Sequence, residues 1–200
     1  MFAIIDRKAN SSLLISLETK EFEERRLLIQ GEITQDSAFE FARAMRYLNS
    51  RSKTEAIDIY INSPGGSIDA GMLYYDVIRS SPAPIRMFCL GCAYSMAALI
   101  FACGPKGNRF MLPNSKLMLH EPLISSPFTG NTTSIKSISE NLLTARTKVN
   151  ELLSRHTGKT VKEIEEATKY DHYFSAEESV SFGLCDRIAD FSELTEEAES

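Results

Sequence analysis

The chain has 200 residues, 43% of them apolar and 24% charged, which suits one compact domain burying roughly 70% of its unfolded surface. A net charge of −5 with no basic stripe excludes a phosphate-reading surface and so a nucleic-acid partner. Apolar runs fall far short of the ~20 residues that span a bilayer, and Asp6 and Arg7 interrupt the apolar start, so no membrane span or secretory signal is expected and a cytoplasmic location follows.

Residues 1–20 mix apolar and polar side chains without a period and read as an arm or loop ordered only against neighbours. A strand is predicted over 26–31, after which Thr34 or Asp36 can cap a helix carrying Phe41, Met45 and Leu48 on one face. Ile57, Ile59 and Ile61 alternate with Asp58 and Tyr60 as in a half-buried strand, which a turn over 62–66 should end. Residues 67–80 are helical in character, Pro82 and Pro84 break the chain, and a short apolar strand over 85–90 feeds the run from Gly91 to Ala98.

The small and apolar residues of 96–103 suit a buried helix, with Gly104 past its end. Strands are expected over 109–112 and 116–120, separated by Pro113-Asn114-Ser115. A long helix over 132–155 gathers Ile135, Ile138, Leu142, Leu143, Val149 and Leu152 near one face, and Gly158 ends it. A helix over 161–168, a helix start at Ser175 and a strand over 184–188 follow, and the tail over 190–200 is acidic and flexible. Strand–helix alternation predicts an α/β architecture with crossover connections. Cys89, Cys92, Cys103 and Cys185 lie among Phe, Leu, Ala and Ile and read as buried thiols. The Cys89-x-x-Cys92 pair lacks the second pair of a four-ligand zinc site, so no metal or other cofactor is expected.

A serine hydroxyl attacks well only when a base takes its proton and a third group orients that base. Ser95 stands where a strand gives way to a helix, so the amides after it lack intrahelical acceptors; by itself, such a serine is most often an N-cap. Ser63-Pro64-Gly65-Gly66 can present a bare amide or simply reverse the chain. His120 ends a strand, where α/β sheets expose their sites, and its ordinary pKa near 6.5 suits base work. His156 closes a long helix, where a cation suits the dipole, and reads as structural; His172 is the weaker base. Asp171 can orient a histidine or be a solvated turn residue.

Taken in order, Asn62-Ser-Pro-Gly-Gly-Ser, Gly91-x-x-x-Ser95-Met96, Leu117-Met-Leu-His120-x-Pro122 and Asp171-x-x-x-Ser175-Ala176 closely resemble the ClpP family, the proteolytic subunit of the Clp protease. The likeness runs from Arg26 to Ile188. It implies a ClpP/crotonase-like spiral fold of repeated β-β-α units, an axial arm over 1–25, a peptidase domain over 26–189 and a protruding handle over about 121–158. It implies Ser95 as nucleophile, His120 as base then acid, Asp171 as orienting carboxylate, and the Gly66 and Met96 amides as oxyanion hole. It further implies two stacked seven-subunit rings that take unfolded polypeptides from a separate AAA+ ATPase; Gly158-Lys159-Thr160 is no ATP loop here, since position 153 is leucine.

Three features depart from the family pattern: Tyr94 replaces a small residue, residues 124–131 with Pro127 replace a glycine-rich handle strand, and Lys169-Tyr170 replaces an acidic-basic pair. They raise the alternative of a specialised ring subunit working beside another ClpP-like chain. A crotonase-like acyl-CoA enzyme is the more distant alternative, against which the ordered Ser, His and Asp weigh.

Overall fold

Side chains alternate across a strand and recur every 3.6 residues along a helix, and both periods are present in turn. The computed structural model describes residues 3–8, 11–123 and 130–194. Its elements are β1 (Ala3–Lys8), β2 (Ser11–Ser16), α1 (Leu17–Glu23), β3 (Arg26–Ile33), α2 (Gln35–Arg51), β4 (Ile57–Gly66), α3 (Ile68–Arg79) and β5 (Ile85–Tyr94). There follow α4 (Met96–Ala102), β6 (Arg109–Met111), β7 (Lys116–Leu119), α5 (Thr132–Thr157), α6 (Val161–Thr168), β8 (His172–Phe174), α7 (Ala176–Phe182) and β9 (Arg187–Ile188).

The main sheet has seven strands in the order β3-β4-β5-β6-β9, and β5 takes β7 as a further partner, which in turn pairs with β8. Every pairing in it is parallel except β7 with β8. The chain is therefore mixed α/β, with a parallel-dominated sheet and alternating β-α units. β5 forks: Met87 to Cys89 pair with β6, whereas Cys92 to Tyr94 pair with β7. That fork carries the chain from the sheet to the segment holding Ser95.

The alternating isoleucines Ile57, Ile59 and Ile61 of β4 are all fully buried, as their period requires. α2 buries Phe41, Met45 and Leu48 and opens with a capping box between Thr34 and Ser37. α4 is hydrophobic all round, and none of its residues is more than 3% exposed, so it forms the centre of the core. Only the C-terminal part of α5 is seated there, through Val149, Leu152 and Leu153, whereas Ile135 and Leu143 are exposed. Among the described residues no helix is long and apolar enough to cross a membrane.

Several elements differ from the sequence reading. Residues 1–20, read as an aperiodic arm, contain the antiparallel pair β1–β2, with Ala3 opposite Ser16 and Lys8 opposite Ser11, followed by α1. These strands pair only with each other, so the main core imposes no burial period on them. The expected turn over 62–66 continues as strand: after register shifts in β3 and β4, Glu32 stands opposite Gly65 and Ile33 opposite Gly66. The altered handle loop, apart from Gly130 and Asn131, and residues 195–200 of the tail lie outside the described residues.

Two polar groups brace the frame. The guanidinium of Arg109, a residue 2% exposed, makes two hydrogen bonds to the Asp186 carboxylate, of 2.9 and 2.6 Å, and also donates to the carbonyls of Ala102 and His156. Burial alone would raise the Asp186 carboxyl, but the Arg109 hydrogen bonds and charge outweigh it and hold the group below its ordinary range. His156 is not the cation expected at a helix end. Burial, with the charges of Arg79, Arg109 and Arg155, lowers it from 6.5 to about 4, and its Nε2 lies 3.0 Å from the Tyr75 hydroxyl.

Asp186→Ala strands the Arg109 charge and should cost about 3–5 kcal/mol in urea unfolding. Because the folded value of His156 lies below its ordinary value, the unfolded chain binds the extra proton between about pH 6.5 and about 4. Wild-type stability should therefore fall as pH drops through that window, and His156→Gln should remove this share of the decline, measured as urea midpoints at successive pH values.

Candidate active site

A serine at a helix start normally turns its hydroxyl onto the third amide of the helix, but Ser95 makes no such cap. Its backbone sits at φ 55°, ψ −123°, a left-handed region that costs a non-glycine residue about 1–3 kcal/mol. The strand–turn–helix geometry turns the side chain out of the helix, and Ser95 Oγ lies 2.7 Å from Nε2 of His120. The Ser95 amide is tied to the Met118 carbonyl at 2.8 Å, while its own carbonyl accepts from the Ala98 amide. Serine and histidine are thus held by adjoining strands, β5 and β7.

The glycines of the Pro-Gly-Gly segment make this approach possible. Gly65 has φ 92°, and a Cβ there would stand 2.5 Å from the Tyr94 carbonyl oxygen and 2.8 Å from Ser95 Cβ. A Cβ on Gly66 would overlap the Ile33 carbonyl oxygen across the sheet. Ser63, buried in the last part of β4, donates to the Gly31 carbonyl at 2.6 Å and accepts from the Gly65 amide at 3.1 Å. The sequence reading missed this brace, although a hydroxyl two residues before a turn glycine is its local signal. Met96 is the first residue of α4, so its amide lacks an intrahelical acceptor, and it faces the Gly65 segment: the same Cβ on Gly65 would lie 3.2 Å from its nitrogen.

His120 directly follows β7, and the antiparallel register of Leu119 with His172 brings the residue before β8, Asp171, alongside it. Asp171 Oδ1 lies 3.6 Å from His120 Nδ1, an ion-pair separation longer than a hydrogen bond. The histidine side chain is 17% exposed and the aspartate 62%, so solvent reaches the outer leg of this set far more than the inner one. The other two histidines stand elsewhere: His172 stacks on Phe174 with ring centroids 4.1 Å apart, and His156 meets Tyr75.

Tyr94, the bulky residue beside the nucleophile, does not line the cleft. Its ring meets Tyr173 edge-on at 5.5 Å, both tyrosines being register partners of Met118. It therefore links the serine turn to the strand that follows Asp171. The cleft itself, about 760 Å³, contains Ser95, His120, Gly65 and Gly66 and is walled by Met118, Pro122 and Leu123 with Ile138 and Leu142 of α5.

All four cysteines are free thiols, but Cys92 is only partly buried, with Sγ 3.3 Å from the Asn62 side-chain oxygen, unlike the core position expected for it. Cys89 and Cys103 are buried, and burial pushes each thiol up to about 12. Among the described residues, no group of three or more His, Cys, Asp or Glu side chains is arranged to hold a metal ion.

The arrangement sets a serine hydroxyl against an imidazole, with a carboxylate on the other side of that ring and the Gly65-Gly66 segment beside the serine in the cleft. In comparison with known protein families, the family model described as Clp protease matches residues 10–192.

Gly65→Ala should displace the serine turn and suppress labelling of Ser95 by a fluorophosphonate by at least about tenfold, scored as the adduct on intact protein. Tyr94→Ala, which removes an edge-on aromatic contact of about 0.5–1.5 kcal/mol, should slow labelling about two- to tenfold, and Tyr94→Phe should keep the wild-type rate.

Proposed function

The chain belongs to the Clp protease family and is a ClpP-type peptidase, and from that premise we propose that it is a serine endopeptidase subunit working through Ser95, His120 and Asp171. His120 Nε2 takes the Ser95 proton as Oγ attacks the peptide carbonyl. The amides of Gly66 and Met96 receive the developing oxyanion, and Asp171 holds the imidazole tautomer and stabilises the imidazolium. His120 then protonates the departing amine, and water, activated by the same histidine, releases the acyl chain. The observation that carries this reading is the 2.7 Å contact between Ser95 Oγ and His120 Nε2, with Asp171 on the Nδ1 side of the ring.

The working protein is a closed chamber of two stacked heptamers in the cytoplasm, with the segment over 1–25 as its axial arm, the peptidase domain over 26–189, a handle over about 121–158 and an acidic tail over 190–200. Unfolded polypeptides reach it from a separate AAA+ ATPase. A second reading is favoured by the exposed Asp171 and its 3.6 Å gap to His120: a ring subunit whose triad closes fully only beside another ClpP-like chain. Nothing in the cleft favours an acyl-CoA ligand over a peptide.

Ser95→Ala and His120→Ala should each lower kcat for an internally quenched peptide by at least about 10^4-fold, and Asp171→Asn by about 10^4-fold or less. Wild-type chain that assembles but neither cleaves peptide nor takes a fluorophosphonate on Ser95 would refute the leading reading. Native mass spectrometry of the chain with a second ClpP-like subunit separates the two readings: mixed rings with raised activity support the second, and full activity in homomeric rings removes it.

A further inference from the structure

The charge in the catalytic cleft is lopsided. Among the described residues, its charged lining apart from His120 consists of two carboxylates, Glu32 and Asp69, with no lysine or arginine. Two acidic residues alone would not make a site; these gain meaning from sharing a cleft with Ser95 and His120. They come from elements flanking the Gly65-Gly66 turn, Glu32 standing opposite Gly65 in the β3–β4 register and Asp69 lying in the first turn of α3. Both are exposed, and among the described residues neither has an ion-pair partner.

We propose that Glu32 and Asp69 make this cleft selective for peptides with a positively charged side chain near the scissile bond. The inference rests on the reading of Ser95 and His120 as a peptide-cleaving pair. An extended peptide fills the cleft with side chains on alternate sides, so one residue can meet the apolar wall of α5 while a neighbour meets the carboxylates. A lysine or arginine at that neighbour gains two counter-charges, an acidic side chain meets like charge, and a neutral one gains neither. Because both carboxylates are exposed, the discrimination is modest and screened by salt.

The test uses N-acetylated peptides of one length in which a single lysine, norleucine or glutamate is walked across the scissile bond. Two readouts are taken: kcat/KM with wild-type protein, and binding by fluorescence anisotropy to Ser95→Ala protein, which needs no turnover. At one position or more, lysine should exceed norleucine by about three- to tenfold in both, with glutamate lowest and the spread shrinking at about 0.5 M salt. The Glu32→Gln/Asp69→Asn double variant should bring the lysine-to-norleucine ratio close to one.

A ratio near one at every position in wild type, or a preference that survives the double variant, would overturn the proposal. Cleavage without charge preference sinks the selectivity and spares the peptidase reading. Absence of cleavage together with lysine-selective binding that the double variant abolishes does the reverse.

Discussion

The end of β4 and the serine turn meet at a glycine with no side chain of its own: Gly65 lies against the Tyr94 carbonyl, the Ser95 Cβ and the Met96 amide. This approach lets β4 and β5 stay paired almost up to Ser95, with Ser63 opposite Ala93. It also makes the unusual backbone of Ser95 tolerable, because the Ser95 amide, its carbonyl and the Gly65 turn are each held by separate contacts. The hydroxyl is thereby kept from capping α4 and left for His120. Packing supplies the force behind this, since α4 is the most buried helix of the chain and its first residue directly follows the nucleophile.

The three side chains of the proposed triad are held with graded firmness. Ser95 and His120 directly follow the two paired strands β5 and β7, so sheet pairing sets their separation. Asp171 depends on β8, three residues long and on the outer side of β7. Its carboxylate is exposed, and the edge-on meeting of Tyr94 with Tyr173 is one of the few contacts linking that strand to the serine turn. Under the proposed reading, such a site keeps Ser95 and His120 preset, while the Asp171 carboxylate is open to tightening by peptide or by a neighbouring subunit. The pair of Arg109 and Asp186 stands behind the other edge of the sheet, joining the start of β6 to the approach to β9 and tying both to the end of α5.

Much of this was legible in the residues. The isoleucines of β4, the cap at Thr34 and the glycine ending α5 are local signals, and each element formed where its signal stood. The extension of β4 through Pro64-Gly65-Gly66 was not legible, because turn chemistry dominates the local sequence while the pairing partners Glu32 and Ile33 lie about thirty residues away. β8 is too short to show a period. The lowered pKa of His156 depends on burial and on three arginines assembled by the fold, and no window around residue 156 contains them all. At the site, Ser95, His120 and Asp171 could be listed from the sequence as a possible set, but that the serine spurns its capping role is a property of its backbone angles. Glu32 and Asp69 carried no signal, since exposed acids are common and only the cleft gives them a shared purpose.

The central claim is that Ser95 and the two flanking amides form one preorganised centre, and the structure of the protein with a peptide boronate tests it most directly. The account predicts tetrahedral boron bonded to Ser95 Oγ, one boronate oxygen about 2.7–3.1 Å from the amides of both Gly66 and Met96, and Asp171 drawn within hydrogen-bond distance of His120. Boron bound to another residue, or to Ser95 with both amides turned away, would contradict it.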